Sequence, residues 1–359
     1  MKVLMIVPTL SYSHISFNAK VAETLVSKGH EVVTLLPDVD DRVPSPNGNY
    51  EIIRRDVGLA SGELSKTLWT NPDPYEDSSP LNPRIFLKLL RVSSLFVKAC
   101  KALANDRLLL ESLRERQFDV GMLEQYDSCG FGIFRAIGVN NIVWLSATGA
   151  YAEQPQTIGV NYPLSYVPNL FAPLGDEMGF LDSLQNVLVS TVTGAIYSYT
   201  RAQQSQIFWK TGVLAFGEDL LATARKSDAV VVNTLPFLDF AMPTSQQIAY
   251  IGGLTVQKQE RSLNTVDQEF WRQIADSSTK GFVLVTFGSI ARTVDMPLDM
   301  QRKFFTACSR FPEITFIVKY EAANSTLPIP LNVQLTPWIP QAELMGGLSI
   351  MQTFLQFYW

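Results

Sequence analysis

The chain has 359 residues, of which 47% are hydrophobic and 18% are charged, and its formal net charge is −5. This composition is typical of globular proteins, and a length above ~250–300 residues favours two domains over one. The sequence contains no run of lysine or arginine. A nucleic-acid-binding function is therefore disfavoured, since such proteins normally carry a basic stripe.

The cysteines and histidines are few. Cys100, Cys129 and Cys308 are widely spaced and odd in number, which suggests neither a disulfide framework nor a zinc site built from cysteines. The two histidines, His14 and His30, cannot form a histidine-rich metal centre alone, and no acidic cluster suggests a carboxylate site. We therefore expect no bound metal.

The first part of the chain predicts a β-α-β unit of a parallel sheet. Residues 3–7 form a short apolar stretch without the length or cleavage site of a signal peptide, so we interpret them as a buried strand. The next elements are a loop at 10–16, a helix whose apolar positions start at Phe17, and a strand at 31–36 that Pro37 ends. This order indicates an α/β fold class.

The middle of the chain alternates helices and strands. Residues 56–83 contain repeated glycine and proline and are predicted to be irregular. We expect helices at 83–115, 182–210 and 217–227, and strands at 118–124, 142–145 and 229–233. Residues 239–253, with Pro243, Gly252 and Gly253, are the expected exit from the first domain.

A second, smaller α/β domain is predicted to follow. Its expected strands lie at 282–287, 314–319 and 332–335, with a helix at 297–309. No stretch reaches the ~20 apolar residues that a membrane-spanning helix needs.

The turn after the first strand is where open α/β sheets place ligands. A dinucleotide site would show Gly-x-Gly-x-x-Gly there, but the turn from Thr9 to His14 contains no glycine, so an NAD(P) site is disfavoured. His14 lies at the carboxyl side of the strand, where a neutral imidazole can take a proton from a bound hydroxyl. The alternative is a surface or helix-capping histidine.

Two carboxylates are candidate partners for His14. The strand at 118–124 brings Glu124 to the same edge of a parallel sheet, and Asp127 lies three residues later. A carboxylate beside a histidine orients the ring and stabilises the imidazolium that forms. The alternative is a solvated loop acid, which is the commoner state of Glu and Asp. Spacing alone does not choose between these interpretations.

Several short motifs keep one order along residues 1–345. They are Ser13-His14, Lys28-Gly29-His30-Glu31-Val32, Cys129-Gly130-Phe131-Gly132, Ser165-Tyr166-Val167-Pro168, Asn233-Thr234-Leu235-Pro236, Leu238-Asp239-Phe240, Tyr250-Ile251-Gly252-Gly253, Thr286-Phe287-Gly288-Ser289 and Trp338-Ile339-Pro340-Gln341. In these motifs and their order, the chain resembles UDP-glycosyltransferases of the glucuronosyltransferase branch, and most of all nematode members.

The resemblance implies a GT-B architecture. It comprises a complete N-terminal Rossmann-like domain at 1–253, which binds the acceptor, and an incomplete C-terminal Rossmann-like domain at 254–345, which binds the UDP-sugar. The implied reaction moves a sugar from the UDP-sugar to a hydroxyl of a small lipophilic acceptor with inversion. The UDP-sugar is a co-substrate, and no metal, further cofactor or nucleic acid is implied. The resemblance also implies an endoplasmic-reticulum membrane location and family-type homo- or hetero-oligomers.

The resemblance gives roles to individual residues. His14 matches the family's catalytic base, Glu124 matches the position where many relatives carry a helper aspartate, and Asp127 is the fallback. In the donor half, Gly288 and Ser289 form a turn suited to close approach of a nucleotide phosphate. Trp338 offers a face for uracil stacking, and Gln341 offers amide groups for the uracil edge. The alternatives are an ordinary turn serine and a core tryptophan.

The resemblance stops after Met345. Residues 346–359 form an apolar tail without a family counterpart, and the family's later donor loop, signal sequence and membrane helix are not recognised. We therefore expect a C-terminally truncated member, cytosolic or peripheral as written, with reduced turnover. A catalytically impaired form that only binds an acceptor or a partner is the alternative function.

Overall fold

The computed structural model describes residues 1–69, 75, 82–124, 126–150, 152–254, 271, 280–288, 291–322 and 325–339. The chain divides into two compact units, Met1–Thr255 and Val256–Trp359. The predictions for Ser289, Gln341 and residues 346–359 lie outside the described residues.

The first unit is built on a seven-stranded sheet with the order β3-β2-β1-β4-β5-β6-β7. Its strands are β1 Lys2–Ile6, β2 Glu31–Asp38, β3 Glu51–Asp56, β4 Val120–Glu124, β5 Ile142–Ser146, β6 Ala229–Val232 and β7 Ile248–Tyr250. All neighbouring strands pair in parallel. The chain runs outward from β1 through β2 to β3 and then resumes at β4 on the other side of β1. Ligands of open α/β sheets bind outside the carboxyl ends of the strands at such a switch point.

Helices cover both faces of this sheet. They are α1 Tyr12–Ser27, α2 Glu63–Trp69, α3 Pro83–Asn105, α4 Arg107–Glu115, α5 Cys129–Ile137, α6 Glu153–Thr157, α7 Phe180–Lys210 and α8 Leu221–Ala224. Because successive side chains of a strand point to opposite faces, β1 contributes to two cores. Leu4 and Ile6 pack in the cluster that includes α3 and α5, whereas Val3 and Met5 pack in the cluster that includes α1.

Two predictions near the first turn were wrong. The loop predicted at 10–16 is largely helical, since α1 begins at Tyr12 and His14 therefore lies in its first turn. Pro37 does not end β2, which continues to Asp38 beside β3. Proline lacks only the N–H, and its carbonyl still accepts a hydrogen bond from the Thr9 amide at 3.1 Å.

Other elements also differ from the prediction. β3 was not foreseen, and α2 lies inside the stretch predicted to be irregular. The helix predicted at 83–115 is divided at Asp106, whose carboxylate accepts the Leu109 amide at 3.0 Å and caps the start of α4. The helix predicted at 217–227 is limited to α8.

Cys100 and Cys129 form a disulfide, a pairing that the number and spacing of the cysteines did not suggest. The bond joins α3 to the first residue of α5 across 29 positions of sequence. An odd number of cysteines excludes only complete pairing, and the spacing alone did not reveal that α3 packs on α5. Cys308 is free and buried.

The second unit contains a three-stranded parallel sheet in its described part, with the order β10-β9-β8. The strands are β8 Phe282–Val285, β9 Thr315–Lys319 and β10 Val333–Thr336, and α9 Leu298–Ser309 connects β8 to β9. Phe305 of α9 packs with Val285 and Val318 of the sheet. The predicted α/β class is confirmed. Among the described helices, none is long and apolar enough to cross a membrane.

Candidate active site

His14 and Glu124 meet at the carboxyl edge of the first sheet. His14 lies in the first turn of α1, just after β1, and Glu124 is the last residue of β4, which pairs directly with β1. The His14 Nδ1 atom is 2.5 Å from Glu124 Oε1. The side chain of His14 is 15% exposed and that of Glu124 only 3% exposed. The sheet topology thus brings together two residues that are 110 positions apart in sequence.

The Glu124 carboxylate has several donors. Its Oε1 atom accepts hydrogen bonds from the Tyr126 hydroxyl at 3.2 Å and from the Ala147 amide at 3.3 Å. Its Oε2 atom accepts a hydrogen bond from the side-chain amide of Asn18. A buried carboxylate is tolerated when such donors replace water. These contacts hold the side chain in one orientation beside His14.

The His14 ring has one nitrogen engaged and one available. Nδ1 faces the carboxylate, so it is the nitrogen that carries the proton in the neutral ring. Nε2 then keeps its lone pair, and it makes no hydrogen bond within the described part of the chain. The remaining exposure of the side chain leaves this ring accessible to a ligand. Such an arrangement can remove a proton from a bound hydroxyl.

Among the described residues, no hydrogen bond joins Asp127 to His14. Its Oδ1 atom accepts the Cys129 amide at 2.9 Å, and its Oδ2 atom accepts the Gln204 side-chain amide at 2.9 Å. Gln204 in turn accepts the Ser128 amide at 2.9 Å. Burial raises the pKa of Asp127 to about 6, although both donors act in the opposite direction. Asp127 therefore braces the turn that leads into α5, and the structure does not support it as the fallback partner of His14.

Two residues of this site were missed by sequence reasoning. Asn18 is one helical turn after His14, and its amide donates to the His14 carbonyl at 2.9 Å as well as to Glu124. Tyr126 contacts both His14 Nδ1 and Glu124 through its hydroxyl. The i,i+4 spacing of His14 and Asn18 was an available signal that they share a helix face. Nothing in the sequence indicated the direction of the Tyr126 side chain.

A small cavity of about 30 Å³, partly open to solvent, lies at the same edge of the sheet. Its wall is formed by the carboxyl ends of β1, β2 and β4 together with α3 and α5. The residues of the wall are apolar apart from Glu124, Asp127 and the disulfide-bonded Cys100 and Cys129. The cavity is much smaller than the ~300–1,000 Å³ of small-molecule pockets, and among the described residues His14 does not line it.

The second unit brings together residues at the carboxyl edge of its own sheet. Gly288 follows β8 with φ of +83°, a conformation that favours glycine, and Trp338 follows β10 with 62% exposure. Lys319, at the end of β9, donates to the Gly288 carbonyl at 2.7 Å, and its ammonium is 5.9 Å from the centre of the Trp338 ring. Lys319 was not foreseen. Trp338 is exposed, so the alternative of a core tryptophan is wrong.

The described residues contain no group of three or more His, Cys, Asp or Glu side chains that could hold a metal ion.

Comparison with known proteins shows a family to which this chain is similar. The family described as UDP-glucoronosyl and UDP-glucosyl transferase matches residues 2–354, a span that runs past Met345. The Caenorhabditis elegans protein ugt-48, which bears a UDP-glucuronosyltransferase name, is 24% identical over 96% of this chain and 66% of its own length. Mouse 2-hydroxyacylsphingosine 1-beta-galactosyltransferase is 25% identical over 97% of this chain and 61% of its own length. The chain thus spans less than two thirds of either relative.

Solved structures show the same fold. The glycotransferase of kitacinnamycin is 14% identical, with a TM-score of 0.56 over 96% of this chain and 72% of its own. Os79 from O. sativa, solved in complex with UDP, is 15% identical, with a TM-score of 0.55 over 96% of this chain and 74% of its own. These likenesses confirm the predicted GT-B fold class.

Proposed function

The chain belongs to this family of UDP-glycosyltransferases, and we propose that it transfers a sugar from a UDP-sugar to a hydroxyl of a small lipophilic acceptor with inversion. The observation that carries the proposal is the 2.5 Å contact between His14 Nδ1 and Glu124 Oε1 at the switch point of the first sheet. In the neutral ring, this contact favours the proton on Nδ1 and leaves the lone pair on Nε2. Because the chain spans only part of its relatives, the activity has to be tested on this chain itself.

His14 is the general base of the proposed reaction. Its Nε2 atom takes the proton of the acceptor hydroxyl while the hydroxyl oxygen attacks the anomeric carbon of the sugar. The bond from that carbon to UDP breaks on the opposite face, UDP leaves with the bonding electrons, and the configuration inverts. Glu124 stabilises the imidazolium, which later returns the proton to water. General-base assistance of this kind contributes roughly 10²–10⁴-fold in rate.

The apolar cavity supports a lipophilic acceptor. The lining beside Glu124 has few polar groups, so it favours an acceptor that is apolar around its reacting hydroxyl, since an unpaired polar group there would lose its hydrogen bonds to water. Relatives of the chain carry names of both glucuronosyl and galactosyl transferases. We take UDP-glucuronic acid as the first donor to test, ahead of UDP-galactose and UDP-glucose.

The second part of the proposal assigns the binding of the UDP-sugar nucleotide to residues of the second unit. Gly288 and Ser289 would approach the diphosphate, Trp338 would stack on the uracil, and Gln341 would bond the uracil edge. The exposure of Trp338 and the positive φ of Gly288 support these roles. Os79, a structural neighbour, is solved with UDP bound, which supports a UDP-sugar as the donor class.

The disulfide supports a location in an oxidising compartment. Disulfides persist in compartments such as the lumen of the endoplasmic reticulum and are rare in the cytosol. The Cys100–Cys129 bond therefore favours the endoplasmic reticulum, which the family resemblance implies, over the cytosol.

The function is tested by incubating the purified chain with each of the three UDP-sugars and a panel of phenols. We expect glycosylated product with at least one donor, and we expect His14→Ala to abolish it. His30→Ala is the matched control, because His30 lies at the opposite, amino end of the sheet just before β2. Equal turnover in His14→Ala and wild type would refute the assignment of the base. Acceptor binding without turnover would instead favour the non-catalytic alternative.

A further inference from the structure

We infer that Tyr126 is a positioning residue that fixes the tautomer of His14. The inference rests on the proposed function only for its kinetic consequence, since the tautomer can be measured without turnover. Tyr126 lies two residues after Glu124, the last residue of β4, and its ring lies edge-on to the His14 ring with 5.1 Å between ring centroids. Its hydroxyl contacts both His14 Nδ1 and Glu124 Oε1.

The acceptor to which the Tyr126 hydroxyl donates its proton determines which tautomer of His14 is favoured. The Tyr126 hydroxyl donates to Glu124 Oε1 at 3.2 Å, so the hydroxyl oxygen presents lone pairs to His14. Nδ1 of His14 therefore faces two acceptors, the Glu124 carboxylate and the Tyr126 oxygen. A nitrogen that faces two acceptors must carry a proton to avoid repulsion between lone pairs. Together these contacts disfavour the tautomer with the proton on Nε2, which could not act as a base.

The ring of Tyr126 is itself held in place by packing. It stacks on Phe96 of α3, with 6.2 Å between centroids and 11° between the ring planes. Phe96 is buried, and α3 is tied to α5 by the disulfide. Replacing Tyr126 by phenylalanine would keep this stacking and remove only the hydroxyl. The substitution therefore separates the hydrogen bonds from the packing.

The titratable groups in contact with His14 in the described part of the chain are Glu124, from β4, and Tyr126 itself. The neutral Asn18 amide and the Ala147 amide complete the surroundings of the carboxylate. In Tyr126→Phe, Glu124 is the remaining acceptor at Nδ1. We expect the ratio of the Nδ1–H to the Nε2–H tautomer to fall by about twofold to tenfold, the effect of losing one ordinary hydrogen bond.

The test is ¹⁵N NMR of the imidazole rings. The chain has only His14 and His30, so two ring systems are observed and His30→Gln assigns them. We expect wild-type His14 to show the Nδ1–H tautomer and Tyr126→Phe to shift toward Nε2–H. The matched control is Tyr12→Phe, which removes an exposed hydroxyl from the same turn of α1 as His14. We expect this control to leave the ratio unchanged.

A kinetic measurement tests whether the tautomer matters for turnover. We expect kcat/KM of Tyr126→Phe to fall in step with its Nδ1–H fraction, a correlation that a purely structural role would not produce. An unchanged ratio in Tyr126→Phe, or the Nε2–H tautomer in the wild type, would overturn the inference. The Nε2–H tautomer in the wild type would overturn it without any variant, and unaltered His30 signals show whether Tyr126→Phe is folded. A chain without turnover but with the expected tautomers would refute the proposed function alone.

Discussion

Breaking the Cys100–Cys129 disulfide is predicted to destabilise the first unit substantially. The bond closes a loop across a sequence separation of 29. In the chain-entropy treatment, a closed loop of this size removes about 12 cal/mol/K from the unfolded state, which is about 3.6 kcal/mol at 25 °C. This is a large part of the ~5–15 kcal/mol by which folded proteins are stable.

The assay is urea unfolding with and without dithiothreitol. We expect the reduced wild type to lose about 3–4 kcal/mol of unfolding free energy relative to the oxidised chain. The Cys100→Ala/Cys129→Ala variant should show no response to the reductant, whereas Cys308→Ala, which changes the free cysteine, should keep the full response. Titration of thiols after denaturation without reductant should find one thiol in the oxidised wild type, because the free Cys308 is buried in the native chain. Three reactive thiols after denaturation without reductant, or identical unfolding curves, would refute the reasoning.

Two further predictions concern packing and pH. Gly132→Ala should destabilise the chain by about 1–3 kcal/mol, because a Cβ atom there would lie 2.0 Å from the Phe208 ring. Gly194→Ala, the control, lies in open space within α7 and should be neutral or stabilising. Equal effects of the two substitutions in urea unfolding would contradict this prediction. Asp127 has a folded pKa of about 6 against an ordinary value of 3.8, so the folded state binds more protons between these values. The unfolding free energy should therefore fall by at most about 3 kcal/mol as pH rises from about 4 to 6, relative to Asp127→Asn measured in parallel; a rise would contradict the raised pKa.

The sheet and the position of His14 were predictable because they depend on local pattern. Short apolar runs gave the strands, and parallel pairing places all carboxyl ends at one edge. The sequence therefore predicts Glu124 and His14 at the same edge, where the structure brings them into contact. It did not separate Glu124 from Asp127, since three residues of a loop can direct a carboxylate either way.

The features that escaped prediction depend on packing between distant segments. Tyr126 reaches His14 because its ring stacks on Phe96, and Cys129 meets Cys100 because α3 crosses the start of α5. Neither pairing leaves a local pattern in the sequence. Lys319 is a similar case, because its bond to Gly288 depends on how β8 and β9 align.

The separation of His14 and Glu124 by 110 positions has a consequence during synthesis. The chain has to be synthesised as far as β4 before the His14 imidazole can contact the Glu124 carboxylate. Until that strand docks beside β1, residue 14 is an isolated histidine on a nascent helix. The pair that we propose as the base and its partner thus forms late, as a product of long-range assembly, and a chain that ends before β4 cannot form it.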